Sequence, residues 1–381
     1  MRVLQIVQQP QLRGAEVFAF QLSDFLLSSG HEVATAYLYD SPDGPALPAR
    51  GDDVFIGARI DHIAERAPGI NPMVVRRLRR VVSDFAPDVI QANGARTLKY
   101  GSMVRRFDDV PVIYRSIGDP LVWVRGRIKT STYRHVFMPP IDGIAAVSTH
   151  TLAGLRQLYD LADKVVEVIP RGVDAGAIAP TTPKAKVRQH LGSDATAPVV
   201  AFVGNLSVEK RPDRLARVFT DVARDLSDAQ LWVIGDGTCE QQLRQAVRDT
   251  GVADRVRFVG RVHDVGSYLA AADALILTSD TEGLPGVMLE AAALGTPTIS
   301  TEVGGVSDAI THGVNGLLCA PDDERELARE VIRVLRDPAL KERLGGSARA
   351  EFDRRFSIEA VGERYVDLYG TTLRRRGLTS S

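Results

Sequence analysis

The strongest constraint on the fold of this chain is a regular alternation of short apolar segments with amphipathic helical segments. The apolar segment RVLQIV leads through a loop to a helix predicted over about Val17–Ser29, and the apolar segment HEVATAYLY follows. One side of the next predicted helix collects the apolar residues Val74, Val75, Leu78, Val81, Val82 and Phe85. Strands that alternate with amphipathic helices in this way are typical of a parallel, doubly wound α/β sheet.

A break in this alternation divides the chain. Between Asp174 and Pro198 the sequence is dominated by Ala, Pro, Thr and Lys, and the alternation then restarts with APVVAFVGNL. At about 150 residues per domain, a chain of 381 residues accommodates two such domains. We therefore predict an N-terminal domain over residues 1–175, a C-terminal domain over residues 176–355, and a C-terminal helix over residues 356–381 that packs back on the N-terminal domain. After the segment TPTISTEVGG, helices are predicted to fill the rest.

Composition and charge exclude several classes of protein. The 47 Lys and Arg residues balance 48 Asp and Glu residues, so the formal charge is −1 and the chain is not a polycation that binds nucleic acid. The two cysteines, Cys239 and Cys319, are expected to be free thiols of a reducing compartment. The sequence has no apolar run of the roughly 18 residues that a membrane-spanning helix needs, and MRVLQIVQQP is too short for a signal peptide. We therefore expect a cytoplasmic protein.

The segment TSDTEGLPGVMLEAAALG combines a predicted strand end, two carboxylates and a predicted helix start. Pro285 is predicted to be the first helical residue, because its missing N–H costs nothing there. The backbone N–H groups of Gly286–Met288 would then lie at the positive end of a helix, which favours an anion such as phosphate. Glu282 precedes this helix. Glu290 lies in its second turn, where a carboxylate can accept hydrogen bonds from the vicinal hydroxyls of a ribose.

A purely structural interpretation of these carboxylates stays open. A glutamate near a helix N-terminus favours the helix dipole, and Glu290 could lie in solvent. The helix is otherwise apolar, however, so Glu290 would interrupt a buried face, and a buried carboxylate needs partners. A ligand is therefore the favoured interpretation. That ligand is not expected to be NAD, since the first loop, QQPQLRGAE, holds a lone Gly14 in place of a G-x-G-x-x-G fingerprint.

The segment EGLPGVMLEAAALGTPTISTEVGG resembles the E-x(7)-E segment of the retaining GT-B glycosyltransferases of family 4. The similarity extends to FVGNLSVEK, VIGDG, VRFVGRV, VIPRGVD, HGVNGLLC and the terminal RRFSIEAVGERYVDLY. The resemblance implies an α/β GT-B fold, in which two Rossmann-like β/α/β domains face each other across a cleft. It also implies a retaining, metal-independent transfer of a sugar from a nucleoside diphosphate sugar to an acceptor hydroxyl, on a cell-surface glycan, a glycolipid or a small molecule.

The same resemblance implies roles in donor binding. Glu282 corresponds to the glutamate that contacts the transferred sugar, Glu290 to the one that holds the ribose, and Lys210 to the lysine that binds the diphosphate. Glu282 and Lys210 are the candidate catalytic residues, because a fixed cation stabilises the charge that the leaving diphosphate gains. A solvated lysine at a helix start is the structural alternative for Lys210. The other candidate donor-binding residues are Gly14, Asn205, Arg261, Val262, Gly283, Leu284, Pro285, Gly286, Val287 and Met288.

Departures from the family pattern fall on polar positions. Asn205 stands where members usually carry an arginine, so one positive charge on the diphosphate is missing unless a neighbouring arginine replaces it. Ile117 and Gly118 stand where members often carry a histidine, and so do Gln91 and Asn93. Those histidines touch the sugar or the acceptor in the family, so the resemblance leaves the acceptor geometry of this chain open.

Arginines occupy two further positions at which the family carries other residues. Arg13 stands at the first glycine of a G-G-A-E loop, and Arg171 stands at the asparagine of I-P-N-G-V-D. Each could face the cleft or lie at the surface. The candidate acceptor-binding residues are therefore Asn93, Arg115 and Arg171, with a structural role as the alternative for each.

Neither a metal ion nor a cofactor is expected. No D-x-D motif follows a predicted strand, and none of the seven histidines forms a metal-like pair. Retaining enzymes of this kind are thought to let the leaving phosphate itself deprotonate the acceptor hydroxyl, on the face from which the sugar departs. Such a mechanism needs no second carboxylate as a nucleophile, and the nucleoside diphosphate sugar is a substrate.

Two other functions stay open on the sequence. A GT-B epimerase that acts on a nucleotide sugar would need acid and base side chains in the cleft, of which the sequence offers few. A nucleotide-sugar-binding protein with decayed activity would fit Asn205, Ile117 and Asn93. It would not account for the presence of Lys210, Glu282 and Glu290 together.

Basic residues are concentrated in the first domain. They are Arg76, Arg77, Arg79, Arg80, Arg105, Arg106 and those of RGRIKTSTYRH. A solvated helix face is the simplest interpretation of this pattern. The alternative is attraction to anionic lipid at the inner membrane face, or to an acidic acceptor that is linked to a lipid.

Overall fold

The structure is a computed structural model that describes residues 1–11, 14–41, 47–48, 50–58 and 69–378. The chain divides into two compact units, which are Met1–Gly172 with Ile358–Ser381 (unit 1) and Val173–Ser357 (unit 2). The sequence placed these boundaries after residues 175 and 355. The observed boundaries follow Gly172 and Ser357 instead. Val173 and Phe356 lie just inside unit 2 at these two boundaries, and the N–H of Val173 donates a hydrogen bond of 2.9 Å to the carbonyl of Phe356.

The described strands of unit 1 form one parallel sheet in the order β3-β2-β1-β4-β5-β6-β7. They are β1 (Arg2–Val7), β2 (Glu32–Tyr39), β3 (Val54–Ala58), β4 (Val89–Asn93), β5 (Val112–Ser116), β6 (Gly143–Ala146) and β7 (Val165–Val168). The central strands β1, β4 and β5 are buried almost residue by residue, without an in-and-out alternation. This burial is expected of a parallel sheet that helices cover on both faces.

Helices cover both faces of this sheet. They are α1 (Gly14–Ser28), α2 (Pro72–Phe85), α3 (Ala95–Phe107), α4 (Pro120–Trp123), α5 (Arg127–Thr132) and α6 (Thr149–Leu158). Successive residues of β1 face opposite cores, because side chains alternate along a strand. Leu4 lies in the same core as Leu78 of α2, whereas Val3 lies in the same core as Leu22 of α1. The apolar face predicted for α2 is buried, although Phe85 at its end is only half-buried.

The described strands of unit 2 form a second parallel sheet in the order β10-β9-β8-β11-β12-β13. They are β8 (Val199–Val203), β9 (Gln230–Ile234), β10 (Val256–Gly260), β11 (Ala274–Leu277), β12 (Thr298–Thr301) and β13 (Leu317–Cys319). The edge strand β13 corrects the prediction that only helices follow TPTISTEVGG. Three residues are too few to show a period, and pairing with β12 is what makes them a strand.

Most of the described helices of unit 2 follow one of its strands, whereas the first of them precedes β8. In chain order, the helices are α7 (Lys184–His190), α8 (Pro212–Asp225), α9 (Glu240–Asp249), α10 (Val265–Ala271), α11 (Gly286–Ala293), α12 (Glu324–Arg336) and α13 (Pro338–Arg355). Helix α7 lies in the stretch that showed no pattern in the sequence. Its buried Arg188 donates hydrogen bonds to a carboxylate oxygen of Asp273 at 2.9 Å and to the carbonyl of Ala197 at 2.8 Å. Contacts with distant residues therefore hold this helix.

The C-terminal helix α14 (Ile358–Arg375) belongs to unit 1, where it shares a core with α1. Gly362 lets the two helices approach closely, since a Cβ at this position would lie 2.2 Å from Cδ1 of Phe25. Within the described residues, none of the helices combines the length and the hydropathy that a bilayer-spanning segment requires.

Each sheet reverses its strand order at one place, between β1 and β4 in unit 1 and between β8 and β11 in unit 2. The loops that leave the carboxyl ends of the strands diverge there and leave a crevice, where doubly wound folds bind ligands. In unit 2 these loops carry Lys210 and Glu282, and in unit 1 they lead to Glu16 and Gly94.

Candidate functional site

The two candidate catalytic residues of unit 2 contact each other. Nζ of Lys210 donates a hydrogen bond of 2.5 Å to Oε1 of Glu282, and Oγ of Ser279 donates one of 2.6 Å to the same oxygen. The side chain of Glu282 is 9% exposed and that of Lys210 is 25% exposed. A carboxylate this buried needs partners, and the ammonium and the hydroxyl supply them. The pair lies where the strand order of unit 2 reverses.

Backbone contacts fix the two loops that carry this pair. Oγ1 of Thr278 donates a hydrogen bond of 2.8 Å to the carbonyl of Lys210, and the N–H of Asp280 donates one of 2.9 Å to the carbonyl of Glu209. The loop after β8 and the loop after β11 are therefore joined next to the pair. The two loops leave neighbouring strands, since β8 and β11 are hydrogen-bonded to each other.

Helix α11 begins directly after the loop of Glu282. Pro285 has an extended conformation and precedes the helix, which starts one residue later than predicted, at Gly286. Within the described part of the chain, no side chain caps the first turn. Because the first N–H groups of a helix have no partner within the helix, this end of α11 is the kind that favours an anion. Glu290 is half-buried in the second turn.

A network of arginines and carboxylates flanks the pair. Asn205, which replaces the arginine usual in the family, is exposed. Arg211 adopts a left-handed backbone conformation with φ of 53°, which is rare for a residue other than glycine. Its guanidinium lies 2.8 Å from Asp213 and 3.0 Å from Asp280. The hydrogen bonds that Arg211 donates to Asp213, and then those it donates to Asp280, raise its pKa above the ordinary value. Arg214, which is buried, lies 2.8 Å from Asp280 as well.

The loop after β9 approaches the loop after β8 through bare backbone. A Cβ at Gly235 would lie 2.1 Å from the carbonyl oxygen of Gly204, and a Cβ at Gly237 would lie 2.4 Å from that of Leu206. The donor-binding candidates Arg261 and Val262 follow β10, and Val262 is half-buried. Arg261 is exposed there and is paired with Asp236 at 2.7 Å.

The positions at which the family carries histidines in unit 1 hold an amide network in this chain. The hydroxyl of Tyr369 donates to Oε1 of Gln91 at 2.5 Å, and Nε2 of Gln91 donates to Oδ1 of Asn93 at 3.0 Å. Nδ2 of Asn93 then donates to Oε1 of Gln5 at 2.8 Å. This network crosses from α14 through β4 to β1. It anchors the side chain of Asn93, a candidate acceptor-binding residue, which also lines a large cavity of unit 1.

Arg115, a second acceptor candidate, is buried rather than at the surface. Its guanidinium lies over the ring of Phe18, 3.9 Å from the ring centroid, and its side chain does not line the large cavity. Among the residues that the structure describes, its Nε and Nη1 atoms have no hydrogen-bond partner. Burial lowers the pKa of this guanidinium, and nearby Arg171 lowers it further, while Tyr365 opposes the shift.

The remaining candidates of unit 1 lie at the start of α1. Gly14 is the first residue of that helix, and a Cβ there would lie 3.3 Å from Nη1 of Arg171. Arg171 and Arg115 are therefore part of one basic region beside α1. Arg13 lies outside the described residues.

Several residues of these sites were not predicted from the sequence. Ser279 is one, because nothing local marks a serine that will bind a glutamate three residues later. Arg96 and Lys99 are others, although the loop QANGAR that precedes them does follow a strand. They line the large cavity together with Arg125 and Lys129, which the sequence grouped only as part of a basic face.

Residues 12–176 match the family described as Glycosyltransferase Family 4, and residues 183–351 match the family described as Glycosyl transferases group 1. The solved structure of Anabaena Alr3699/HepE in complex with UDP covers 97% of this chain and 100% of its own, with a TM-score of 0.81 and 20% identity.

Two curated relatives match part of the chain. A GDP-mannose-dependent monoacylated alpha-(1-6)-phosphatidylinositol monomannoside mannosyltransferase of Corynebacterium glutamicum is 32% identical over 239 residues, which are 60% of this chain and 62% of that protein. An N-acetyl-alpha-D-glucosaminyl L-malate synthase of Bacillus anthracis is 31% identical over 189 residues, which are 50% of this chain and 49% of that protein. The matched segments thus span less than two thirds of either relative.

Two Rossmann-like parallel sheets, together with the likeness to solved structures, define the fold class as that of the GT-B glycosyltransferases. The expectation of an α/β GT-B fold is thereby confirmed. Within this class the chain belongs to glycosyltransferase family 4, because the two family matches between them cover most of its length.

Proposed function

We propose that this protein is a hexosyltransferase that moves a sugar from a nucleoside diphosphate sugar to an acceptor hydroxyl, with retention of configuration and without a metal ion. The observation that carries the proposal is the Lys210–Glu282 pair, which lies at the switch point of unit 2 and directly before the uncapped start of α11. The sugar transferases among the relatives, and the UDP bound by the matched Anabaena protein, support a nucleotide-sugar donor.

The site of unit 2 would stabilise the negative charge on the leaving diphosphate. When the bond between the anomeric carbon and the β-phosphate oxygen breaks, both electrons stay with that oxygen. The ammonium of Lys210 and the first-turn N–H groups of α11 would face this charge, which is how preorganised donors lower a barrier. Glu282 would accept hydrogen bonds from the sugar hydroxyls, and Glu290 would accept them from the ribose.

Retention follows if the leaving phosphate serves as the base. The acceptor oxygen forms its bond to the anomeric carbon on the face from which the phosphate departs. The acceptor proton moves to the released phosphate oxygen, so the products are a glycoside and a nucleoside diphosphate. This step requires no protein nucleophile and no metal ion. Glu282, already paired with Lys210, would act by positioning the sugar.

A donor screen tests the proposal at its first step. The full chain is incubated with nucleoside diphosphate sugars of uridine, guanosine, adenosine and thymidine without an acceptor, and slow release of the nucleoside diphosphate is measured. Thermal unfolding with the free diphosphates gives an independent reading, since a ligand at 100 times its dissociation constant adds about 2.7 kcal/mol. We expect one base to give both effects. A stabilised protein that releases nothing would indicate a nucleotide-sugar-binding protein with decayed activity.

Stereochemistry and metal dependence are tested on the active donor. Proton NMR of the product formed early in the reaction should show the anomeric configuration of the donor, and turnover should persist in excess chelator. An inverted product or a rate that chelator abolishes would contradict the mechanism. Recovery of an isomerised nucleotide sugar instead would indicate an epimerase.

A further inference from the structure

The large cavity of unit 1 carries an excess of positive charge. Its volume is about 940 Å³, and it lies where the loops after β1 and β4 diverge. One carboxylate, Glu16, and five cations line it, namely Arg96, Lys99, Arg125, Arg127 and Lys129. We propose that this cavity binds a phosphate group of the acceptor, an inference that rests on the transferase function proposed above.

Ion pairs within the protein compensate some basic residues of unit 1. Arg105 of α3, for example, lies 3.0 Å from a carboxylate oxygen of Asp142, and its charge is thereby compensated within the protein. Within the described part of the chain, no carboxylate lies at ion-pair distance from four of the cavity residues, which are Lys99, Arg125, Arg127 and Lys129. Their charge is therefore available to an anionic ligand.

Electrostatic repulsion inside the cavity supports this assignment. Burial lowers the pKa of Lys99, and the positive charges of Arg96 and Lys129 lower it further. The amine of Lys99 makes a long hydrogen bond of 3.4 Å to the carbonyl of Gly69, and that of Lys129 makes one of 2.5 Å to the carbonyl of Trp123. Each ammonium has three donors, so both keep donors for a ligand. A bound anion would relieve the repulsion between them.

The start of α3 adds to the positive potential of the cavity. Gly94, which precedes the helix, has a φ of 100° and offers no side chain, so the first N–H groups of this 13-residue helix have no side-chain cap. Gly94, Ala95 and Arg96 all line the cavity. Helix N-termini favour anions because their N–H groups and the helix dipole point the same way. This feature reinforces the cation cluster, which carries the inference.

The cavity also has an apolar side that a bare phosphate would not use. Trp123 and Tyr133 line it, with their rings edge to face at 5.2 Å between centroids. Ile117 and Ile128, which line it too, are 38% and 79% exposed. A cavity of several hundred Å³ fits a ligand of many atoms. The acceptor therefore carries its phosphate next to a sugar ring or an apolar group.

Pyrophosphate is a suitable probe, provided that the diphosphate site of unit 2 is disabled. Isothermal titration calorimetry is done at low salt on the full chain with Lys210→Met, and then on the same chain with Arg125→Gln, Arg127→Gln and Lys129→Gln added. We expect Lys210→Met to bind pyrophosphate, and the added changes to weaken binding by at least about tenfold. If the chain with the added changes does not fold, Arg125→Gln with Arg127→Gln replaces it, since both side chains are exposed.

A charge-matched variant serves as the control. Arg76→Gln, Arg80→Gln and Arg156→Gln remove the same charge from exposed positions that do not line the cavity. This control should bind pyrophosphate like its parent. Equal weakening in the control and in the cavity variant, or no binding by the Lys210→Met chain, would overturn the proposal. Nucleoside diphosphate binding that Lys210→Met weakens, and that the cavity changes made in the unmutated chain leave intact, reports on unit 2, so failure of the donor proposal is seen separately.

Vesicles distinguish a phosphate on a lipid from a phosphate on a soluble acceptor. The full chain is sedimented with phosphatidylcholine vesicles that contain or lack phosphatidylglycerol. Pelleting that requires the anionic lipid, and that pyrophosphate and the cavity changes both abolish, assigns the phosphate to a lipid head group. Pyrophosphate binding without any pelleting assigns it to a soluble acceptor.

Discussion

A Cβ built on Gly304 would lie 1.8 Å from the carbonyl oxygen of Glu282, so the TEVGG loop touches the loop of the candidate catalytic glutamate through bare backbone. Gly304 has a φ of 54°, in the region that favours glycine. The N–H of Gly305 donates to the same carbonyl at 3.3 Å. Two neighbouring loops thus hold Glu282, because the TEVGG loop contacts its backbone and Lys210 binds its side chain. Ser279, from the same loop as Glu282, binds that side chain as well.

Replacement of this glycine tests how far the site depends on that contact. Gly304→Ala should lose about 1–2 kcal/mol of unfolding free energy to the left-handed backbone and about 1–3 kcal/mol more to the steric overlap. Gly251→Ala is the control, because Gly251 has a φ of 74° and open space around it, so only the backbone cost applies. Urea unfolding and donor hydrolysis measure both variants. Equal stability of the two, with full activity, would contradict the role of Gly304.

Removal of the lysine charge should weaken donor binding. A hydrogen bond to a charged group contributes about 1.5–3 kcal/mol, so we expect Lys210→Met to bind the nucleoside diphosphate about 10–100-fold more weakly. Lys210→Arg should recover only part of this loss, because a planar guanidinium does not reproduce the ammonium. Lys186→Met, at an exposed position of α7, is the control for calorimetry. An unchanged affinity of Lys210→Met would refute the assignment.

The two glutamates should affect different kinetic constants. Glu282→Gln is expected to lower turnover about tenfold or more with little change in nucleotide affinity, since it positions the sugar. Glu290→Gln is expected to weaken nucleotide binding instead. A more specific test uses a 2′,3′-dideoxynucleoside diphosphate, which lacks the ribose hydroxyls. The unmutated protein should bind it more weakly than the ordinary nucleoside diphosphate, and Glu290→Gln should bind the two alike. Equal losses in both constants for both variants would leave the assignment untenable.

Acid should weaken the start of α8. Hydrogen bonding by Arg211 holds the pKa of Asp213 below its ordinary value of 3.8, burial opposes this, and Arg217 adds to it. A lowered pKa in the folded state means that Asp213 stabilises the fold above about pH 4 and loses this effect as the pH falls further. Asp213→Asn should therefore be less stable than the unmutated protein near neutrality, with the difference shrinking in acid.

Urea unfolding near pH 6 and near pH 3 measures this effect, which solvent screening keeps small. Asp221→Asn is the matched control, because Asp221 lies on the same helix and, among the residues that the structure describes, pairs only with the exposed Arg224. A stability difference for Asp213→Asn that grows toward acid would have the wrong sign.

Two helical glycines should respond to alanine with opposite signs. Gly346 of α13 is exposed and has open space around it, so Gly346→Ala should stabilise the protein by about 0.5–1 kcal/mol. Gly362→Ala should instead destabilise it by about 1–3 kcal/mol, because its Cβ would overlap the ring of Phe25. Thermal unfolding measures both. Adding Phe25→Leu should recover part of the loss, and additive losses would argue against direct contact.

Much of the fold was predictable because its signals are local. A strand covered on both faces must be mostly apolar, as RVLQIV is apart from Arg2 and the buried Gln5. A helix on the sheet must show one apolar face, as α2 does. Helix α7 and strand β13 were not predictable for the converse reason. The first depends on the buried contact between Arg188 and Asp273, and the second depends on pairing with β12.

The candidate site divides along the same line. By itself the sequence determined the two successive α/β domains, the family motif with Glu282 and Glu290, and the residue types that an anion site needs. Only the tertiary structure decided that Lys210 pairs with Glu282, that Arg115 is buried against Phe18, and that cations far apart in the chain line one cavity. Spacing along the chain fixes which residues share an element. The strand order and the backbone contacts between loops fix which elements meet.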